Sequence, residues 1–218
     1  MDQKKLDQQS QHWELSFSNK PKMFGSAPSL AAEKALKIFK KENIKNIVEL
    51  GPGLGRDTIF FAKNSIFVNA LDYSSSAVRM INDKAKQLNL SKFISAKKFD
   101  VRQKLPFNNS SVKGFFSHML YCMALTNSDL QNLNNEIYRV LAPQGLNIYT
   151  VRHTDDGDYK NGIYRGEELY ENDGFIVHYF SKEKIEELSK GFENLSIEKF
   201  EEGSFPRKLF FVINKRII

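Results

Sequence analysis

Three glycines at alternate positions follow an acidic residue in the segment VELGPGLGRD, residues 48–57. The acid is Glu49, and the glycines are Gly51, Gly53 and Gly55. Glycines at the tip of a strand let a ligand approach the backbone closely, because no side chain intervenes. A carboxylate beside such a turn suits a ligand that carries positive charge or hydroxyl groups better than a pyrophosphate. The segment therefore predicts a binding turn for such a ligand.

Two nucleotide-binding motifs with similar glycine content do not fit this spacing. A phosphate-binding P-loop requires Gly-Lys-Ser/Thr at its end, whereas Asp57 lies six positions after Gly51 and no Lys-Ser/Thr follows it. A dinucleotide fingerprint requires a third glycine where this chain has Arg56. Both phosphate-binding interpretations are therefore excluded.

The residues around the glycines predict an alternation of strands and helices. An apolar run at 46–50 is typical of a short buried strand, and residues 56–63 predict a helix that begins directly after the turn. Further strands are predicted at 66–71, 92–99, 112–118 and 146–151, and further helices at 28–42, 74–90 and 128–140. Strands that alternate with helices indicate βαβ units and a parallel sheet.

The last quarter of the chain differs in composition. Residues 155–173 are rich in Asp, Gly and Tyr and predict a long loop or lid, and a helix is predicted at 181–190. Strands are predicted at 175–180, 195–200 and 208–214, the last two joined by a turn that contains Gly and Pro. The predicted fold class is therefore α/β, with a doubly wound, mostly parallel, seven-stranded Rossmann-like sheet, helices on both faces and an antiparallel C-terminal strand. We expect one domain over 1–218, with an N-terminal cover segment at 1–27 and a lid-like insertion at 153–180.

Composition limits the classes of protein to which the chain can belong. It has 218 residues, of which 41% are hydrophobic and 27% charged, as expected for one globular domain. A single cysteine, Cys122, excludes a disulfide framework, and with no signal segment or apolar run of membrane-spanning length we expect a cytoplasmic protein. The net charge of +6 allows a nucleic-acid partner, but the scattered lysines favour an ordinary solvated surface.

Five segments in order resemble class I S-adenosylmethionine-dependent methyltransferases. The Glu-x-Gly-x-Gly-x-Gly segment at 49–55 resembles their first motif, VNALDYSSSAV at 68–78 the second, and KKFDVRQKLPF at 97–107 the third. SVKGFFSHMLYCM at 111–123 is similar to their fourth strand, and EIYRVLAPQGLNIYTVR at 136–152 to the helix, turn and fifth strand. Two further segments, the leader WELSFSNKPKMFGSAPS at 13–29 and GRDTIFFA at 55–62, are similar to the small-molecule branch of this family, near tellurite-resistance-type and thiol-type enzymes.

This resemblance implies S-adenosylmethionine as cofactor and assigns roles to particular residues. Asp72 would bind the two ribose hydroxyls, and Tyr73 would lie beside the adenine. Asp100 would accept the adenine amino group, and Val101 would offer its backbone. Ser117 would border the methionine part, and the binding set is completed by Glu49, Gly51, Gly53, Gly55 and Asp57.

The acceptor side is predicted at the ends of the fourth and fifth strands. His118 is the candidate general base, because a histidine can take a proton from a thiol or amine near neutral pH. The candidate substrate contacts are Arg152, His153, Tyr121 and Tyr170. The four histidines lack paired ligand spacing, so no metal site is predicted.

The resulting hypothesis is in-line methyl transfer to a small-molecule acceptor. Two alternatives stay open: a methyltransferase acting on RNA or protein, which the basic balance favours, and a non-catalytic module that only binds the cofactor. An N6-adenine methyltransferase usually carries [DN]-P-P-[YF] at the tip of the fourth strand. This chain reads SHMLY at 117–121, so that subclass of RNA or DNA methyltransferase is disfavoured. The acceptor atom and the oligomeric state are left open by the sequence.

Overall fold

The computed structural model describes residues 3–203 and 207–217. Within these ranges the chain forms six α-helices: α1 (Gln3–Asn19), α2 (Leu30–Lys41), α3 (Arg56–Lys63), α4 (Ser75–Gln87), α5 (Asn127–Val140) and α6 (Lys182–Leu188). It also forms ten strands: β1 (Asn46–Leu50), β2 (Phe67–Asp72), β3 (Ile94–Lys98), β4 (Val112–His118), β5 (Leu141–His153), β6 (Ile163–Gly166), β7 (Leu169–Asn172), β8 (Phe175–Phe180), β9 (Phe192–Glu202) and β10 (Arg207–Arg216). No helix in the described ranges is long and apolar enough to cross a membrane.

The ten strands join into one sheet, in which seven lie side by side in the order β3-β2-β1-β4-β5-β10-β9 and β8, β7 and β6 extend it from the end of β5. Strands β1 to β5 are parallel to one another, and β10 pairs antiparallel with both β5 and β9. The predicted doubly wound, mostly parallel Rossmann-like sheet with an antiparallel C-terminal strand is therefore confirmed. In such a sheet ligands bind outside the carboxyl ends of the strands, near the reversal of strand order. Here that point lies between β1 and β4.

Helices cover both faces of the sheet, and hydroxyl caps fix where several of them begin. The side chains of Ser29, Ser74 and Thr126 each accept a hydrogen bond from a backbone N–H in the first turn of α2, α4 and α5 respectively. The apolar side of α5 packs in the core on one face, and α2 packs in the core on the other. Helices α3 and α4 follow directly after β1 and β2, so their N-termini lie at the edge where the parallel strands end, and α3 begins after Gly55 without a side-chain cap.

One segment differs from its prediction, and one had no secondary structure predicted. Residues 155–173, predicted as a long loop or lid, contain the strands β6 and β7, and the N-terminal segment forms the helix α1. Strand β8 pairs with β7 and then runs parallel to the last residues of β5, where Arg152 lies opposite Tyr179. The pairing of β5 with β4 ends at Thr150, so the following residues of β5 have an open edge that β8 occupies. Part of the predicted turn between the last two strands, residues 204–206, lies outside the described residues.

Replacement of Gly114 by alanine would test how tightly β4 packs beside β1 and α2, because Ile47, Ile44 and Phe39 surround this position. A Cβ at Gly114 would lie 2.9 Å from a methyl group of Ile47 and 3.0 Å from one of Ile44. We expect Gly114→Ala to lower the free energy of unfolding by about 1–3 kcal/mol, because overpacking a dense core forces neighbouring groups apart. Urea unfolding measures this change. Gly157→Ala is the matched control, since nothing lies within 4 Å of its added Cβ; equal losses in both variants would contradict the expectation.

Candidate functional site

The glycine turn after β1 places three residues in left-handed backbone conformation, with φ of +66° at Gly51, +53° at Gly53 and +77° at Gly55. A Cβ at Gly51 would lie 2.8 Å from Leu120, and one at Gly55 would lie 2.5 Å from Ile81. The packing of the protein itself therefore requires glycine at these two positions. A Cβ at Gly53 would meet the rings of Phe17, at 3.5 Å, and Phe24, at 3.9 Å.

Asp72 ends β2, and its carboxylate is fixed by two backbone donors. One oxygen accepts from the N–H of Gly53 at 3.0 Å, and the other accepts from the N–H of Ser74 at 2.9 Å. The side chain is buried, and burial raises its pKa to about 6. Because a carboxylate has about four acceptor sites, lone pairs remain for further donors such as a pair of hydroxyls.

Two further carboxyl groups are buried beneath the glycine turn. Glu49 accepts a hydrogen bond from the Thr58 hydroxyl at 2.6 Å. Burial and the nearby charge of Asp57 raise the pKa of Glu49 to about 8, so the group is mostly protonated at neutral pH. Asp57 accepts from both the N–H and the hydroxyl of Ser29, at 2.7 and 2.8 Å. Asp57 therefore joins α3 to the start of α2, and both of its oxygens are already engaged within the protein.

A pocket lies beside Asp72, between the carboxyl edge of the sheet and helix α1. The sheet side of this nucleoside pocket, as we call it, is formed by Tyr73, Asp100, Val101, Leu120 and Met123. The α1 side is formed by Leu6, Gln9, Ser10 and Trp13. The structure thus brings together three of the residues that sequence reasoning assigned to the adenine.

Asp100 has a partner that the sequence did not reveal. The guanidinium of Arg102 donates to both oxygens of Asp100, at distances of 2.7 to 3.1 Å. Although burial opposes ionisation, these hydrogen bonds lower the pKa of Asp100 below its usual range. The sequence Asp-x-Arg at 100–102, directly after a predicted strand, could have predicted this ion pair, because two residues with that spacing can meet in a turn.

His118 ends β4 with both ring nitrogens near polar groups. Its Nδ1 lies 3.1 Å from the hydroxyl of Thr150, and its Nε2 lies 3.5 Å from a carboxylate oxygen of Glu202. Burial, and the positive charges of Arg56 and Arg207, lower the pKa of His118 to about 3. The ring is therefore neutral at physiological pH and a weak proton acceptor, which argues against the predicted role as general base.

Glu202 is a polar residue at this edge that sequence reasoning missed. It lies at the end of β9, where one carboxylate oxygen lies 3.4 Å from the guanidinium of Arg56. Burial raises its pKa above the usual range, despite the opposing charge of Arg56. Its approach to His118 depends on how β9, β10, β5 and β4 are paired, and no local sequence pattern records that pairing.

The predicted substrate contact Arg152 is neutralised inside the protein. Its guanidinium is buried, makes ion pairs with Asp156 and Asp158, and lies 5.3 Å from the ring centre of Tyr179. A buried arginine with two carboxylate partners stabilises the loop after β5 and has little charge left for a ligand. The structure therefore assigns Arg152 to the support of this loop.

Tyr121 and His153 also have partners within the protein. Tyr121 is fully buried, stacks on Tyr149 with ring centres 4.2 Å apart, and donates to Asn134 at 2.8 Å. The prediction of a substrate contact is therefore wrong for Tyr121, because its ring belongs to the core. His153 is buried against Phe210, and its Nδ1 accepts the N–H of Asp155.

Two other predicted site residues, Tyr170 and Ser117, have polar groups that are partly exposed or lack a hydrogen-bond partner among the described residues. Tyr170 is half-buried in a cluster with Tyr159, Tyr164 and Tyr179, with ring centres 5.1 to 6.0 Å from its own. Ser117 is buried at the end of β4, and its hydroxyl has no hydrogen-bond partner among the described residues. Both residues remain candidates for ligand contact.

Comparison with known proteins agrees with the fold and the glycine turn. Residues 47–145 match a family model described as a methyltransferase domain. No curated protein sequence matches the chain. Among solved structures, the chain is similar to a 1,6-didemethyltoxoflavin-N1-methyltransferase of Burkholderia thailandensis with bound 1,6-didemethyltoxoflavin and S-adenosylhomocysteine. That TM-score is 0.75 at 13% identity, covering 100% of this chain and 91% of that one.

Two further structures share the fold. The N-methyltransferase NodS of Bradyrhizobium japonicum, in complex with S-adenosylhomocysteine, has a TM-score of 0.71 at 12% identity, covering 95% of this chain and 97% of that one. TehB of Haemophilus influenzae has a TM-score of 0.68 at 16% identity, covering 94% of this chain and 67% of that one. At these identities the likeness concerns the fold.

The domain match and the shared fold say which proteins the chain resembles. Residues 47–145 are similar to a methyltransferase domain, and the chain has the fold of structures solved with S-adenosylhomocysteine bound. The acidic, glycine-lined edge described above fits a ligand with a sulfonium, an ammonium and a ribose diol.

Glu49 makes the stability of the ligand-free protein depend on pH. Its pKa is about 8 when folded and near 4.5 when unfolded, so the unfolded chain releases this proton first as pH rises. Stability is therefore lost between about pH 4.5 and 8. Glutamine resembles the protonated acid, so Glu49→Gln should raise the unfolding temperature at pH 8, by about 2–4 °C for each kcal/mol recovered.

Thermal unfolding of ligand-free protein at pH 5 and pH 8 measures this effect. At pH 5 we expect little difference between Glu49→Gln and the wild type. Glu33→Gln, which changes an exposed carboxylate on α2, is the matched control and should leave both unfolding temperatures unchanged. An equal shift of the Glu49 variant at the two pH values would contradict the buried, protonated state of Glu49.

Proposed function

We propose that the protein transfers a methyl group from S-adenosylmethionine to a small-molecule acceptor. The observation that carries this proposal is the carboxylate of Asp72, which is held by Gly53 and Ser74 and directly precedes Tyr73 in the wall of the nucleoside pocket. A buried carboxylate with fixed orientation and spare lone pairs is suited to a ribose diol. Tyr73 would then lie beside the adenine, and Asp100 and Val101 would border its edge.

The other end of the cofactor would lie over the glycine turn. Asp72 would provide negative charge near it, a bound cation would favour the ionised form of Glu49, and Ser117 at the neighbouring strand end has a hydroxyl without a partner among the described residues. When bound, S-adenosylmethionine supplies an activated methyl group on a sulfonium. The residues of the chain would contribute by aligning the two reactants and excluding water, which is worth several kcal/mol without a catalytic triad.

A small acceptor is supported by the walls around the strand ends. Trp13 contacts Phe175, Phe17 and Phe24, with ring centres 4.8 to 6.5 Å apart, so aromatic rings from the leader and from β8 close over this edge. The relatives with small-molecule names, among them the one with bound 1,6-didemethyltoxoflavin, are consistent with such an acceptor. Tyr170, whose ring is half-buried near this edge, is the candidate residue for acceptor contact.

Asp72→Ala tests the cofactor part of the proposal. Loss of one or two charge-assisted hydrogen bonds should weaken S-adenosylhomocysteine binding at least about tenfold, because each is worth about 1.5–3 kcal/mol. Isothermal calorimetry measures the affinity, and urea unfolding reports separately on the turn that Asp72 supports. Asp83→Ala on the exposed side of α4 is the control and should bind normally. Unchanged affinity of Asp72→Ala would remove this residue from the site.

Methyl transfer from cofactor with an isotopically labelled methyl group tests the acceptor class. The protein is offered a metabolite extract, purified RNA and denatured protein in separate reactions. We expect label in the metabolite fraction and none with Gly53→Val, which places a branched side chain against Phe17 at a left-handed position. Label in RNA or protein would support the alternative acceptors, and cofactor binding without any transfer would support a non-catalytic module.

A further inference from the structure

Helix α1 forms a removable wall of the nucleoside pocket. Four of its residues line the pocket opposite the sheet edge: Leu6, Gln9, Ser10 and Trp13. A nucleoside bound between Tyr73 and Val101 would therefore be covered by α1, and it could neither enter nor leave through that side while the helix is in place. This argument rests on the proposed function, since it takes the pocket as the cofactor site.

Glu14 attaches α1 to the N-terminus of α4. Its two carboxylate oxygens accept from the N–H of Ser76 at 3.1 Å and from the hydroxyls of Ser74 and Ser76 at 2.5 and 2.6 Å. A carboxylate at a helix N-terminus also interacts favourably with the helix dipole. Ser74 is the residue whose N–H holds Asp72, so the helix is fastened to the same turn that presents the ribose carboxylate.

A second attachment lies on the opposite side of the pocket. The side-chain amide of Gln9 donates to the carbonyl of Gly174 at 2.9 Å and accepts from the N–H of Ile176 at 3.1 Å, so it imitates a strand pairing with β8. At the adenine side, Asp7 forms an ion pair with Arg102, the residue that holds Asp100. Helix α1 thus bridges the pocket and is fastened by polar side chains on several sides.

The apolar contacts of α1 form two small clusters, and between them Trp13 packs on the ring of Phe175. Leu6 packs with Leu169 and Ile176, and Phe17 packs with Leu54 and Ala77. These are two small clusters separate from the main cores of the sheet, and Leu15 on the outer side is exposed. Elements with few buried apolar contacts open at a lower free energy than the core, so α1 can detach without unfolding of the sheet.

From this arrangement we propose that α1 is a gate for cofactor exchange and that Glu14 is its latch. Release of Glu14 from Ser74 and Ser76 lets α1 swing away, the cofactor or its demethylated product passes, and the latch closes again. Because Glu14 touches the protein and not the ligand, its loss changes the rates of binding and release more than the affinity.

Stopped-flow fluorescence of Trp13, which is the single tryptophan in the sequence, follows the gate directly. The purified protein is mixed with increasing concentrations of S-adenosylhomocysteine. In the wild type, the observed rate should reach a plateau equal to the opening rate of α1. In Glu14→Ala, the plateau and the dissociation rate should both rise at least about fivefold, since several hydrogen bonds are lost. Glu33→Ala is the matched control.

Hydrogen exchange in the absence of ligand provides a second readout, together with a second variant, Gln9→Ala, at the β8 attachment. The amides of α1 should exchange faster in both variants, while those of β1 and β4 should stay as in the wild type. Binding with unchanged rates and unchanged α1 exchange in Glu14→Ala would overturn the gate alone. Absence of S-adenosylhomocysteine binding to the wild type would overturn both the gate and the proposed function. Lower affinity with unchanged α1 exchange would also overturn the gate, because it would show a purely structural role for Glu14.

Discussion

The functional edge of this protein depends on one buried carboxylate with two backbone donors. Asp72 binds the N–H of Gly53 in the glycine turn and the N–H of Ser74 at the start of α4. The end of β2 and the start of α4 are thereby fixed to the glycine turn, which lies 19 residues earlier in the chain. Burial disfavours its charge, as the raised pKa of about 6 shows, and charge-assisted hydrogen bonds offset part of that cost. The position of α1 follows from the same turn, because Glu14 is fastened to Ser74.

The acids beneath the turn differ in what they do. Asp57 has both oxygens occupied by Ser29 and joins two helices, so its role is to support the turn. Glu49 has one hydroxyl partner and a pKa of about 8, so it is mostly protonated at neutral pH. A cation bound nearby would favour the ionised form of Glu49 and so lower this pKa. The same electrostatic pattern that weakens the ligand-free protein at alkaline pH is therefore the one that suits a sulfonium ligand.

The sequence pattern predicted correctly those helices and strands whose structure is decided by local interactions. The bounds of β1, α3 and β4 agree with the sequence-based prediction, because each is a short apolar or amphipathic run bordered by glycine or polar turns. The hairpin of β6 and β7 was missed, because four-residue strands rich in Tyr and Gly resemble a loop until β8 and the open edge of β5 are known. The roles of Tyr121 and Arg152 could not be read from sequence either, since each is decided by partners brought together by the fold.

The two halves of the edge differ in charge, and this difference bears on the chemistry. On the cofactor side, buried carboxyl groups favour a cation. On the acceptor side, Arg152 is neutralised by Asp156 and Asp158, and His118 is neutral because burial and two arginines oppose its protonation. Methyl transfer removes the positive charge at sulfur and leaves an uncharged thioether, so a neutral acceptor side does not oppose that change. In the proposed reaction, catalysis would depend mainly on exclusion of water and on alignment, so the fastening of α1 over the pocket would matter as much as any single side chain near the methyl group.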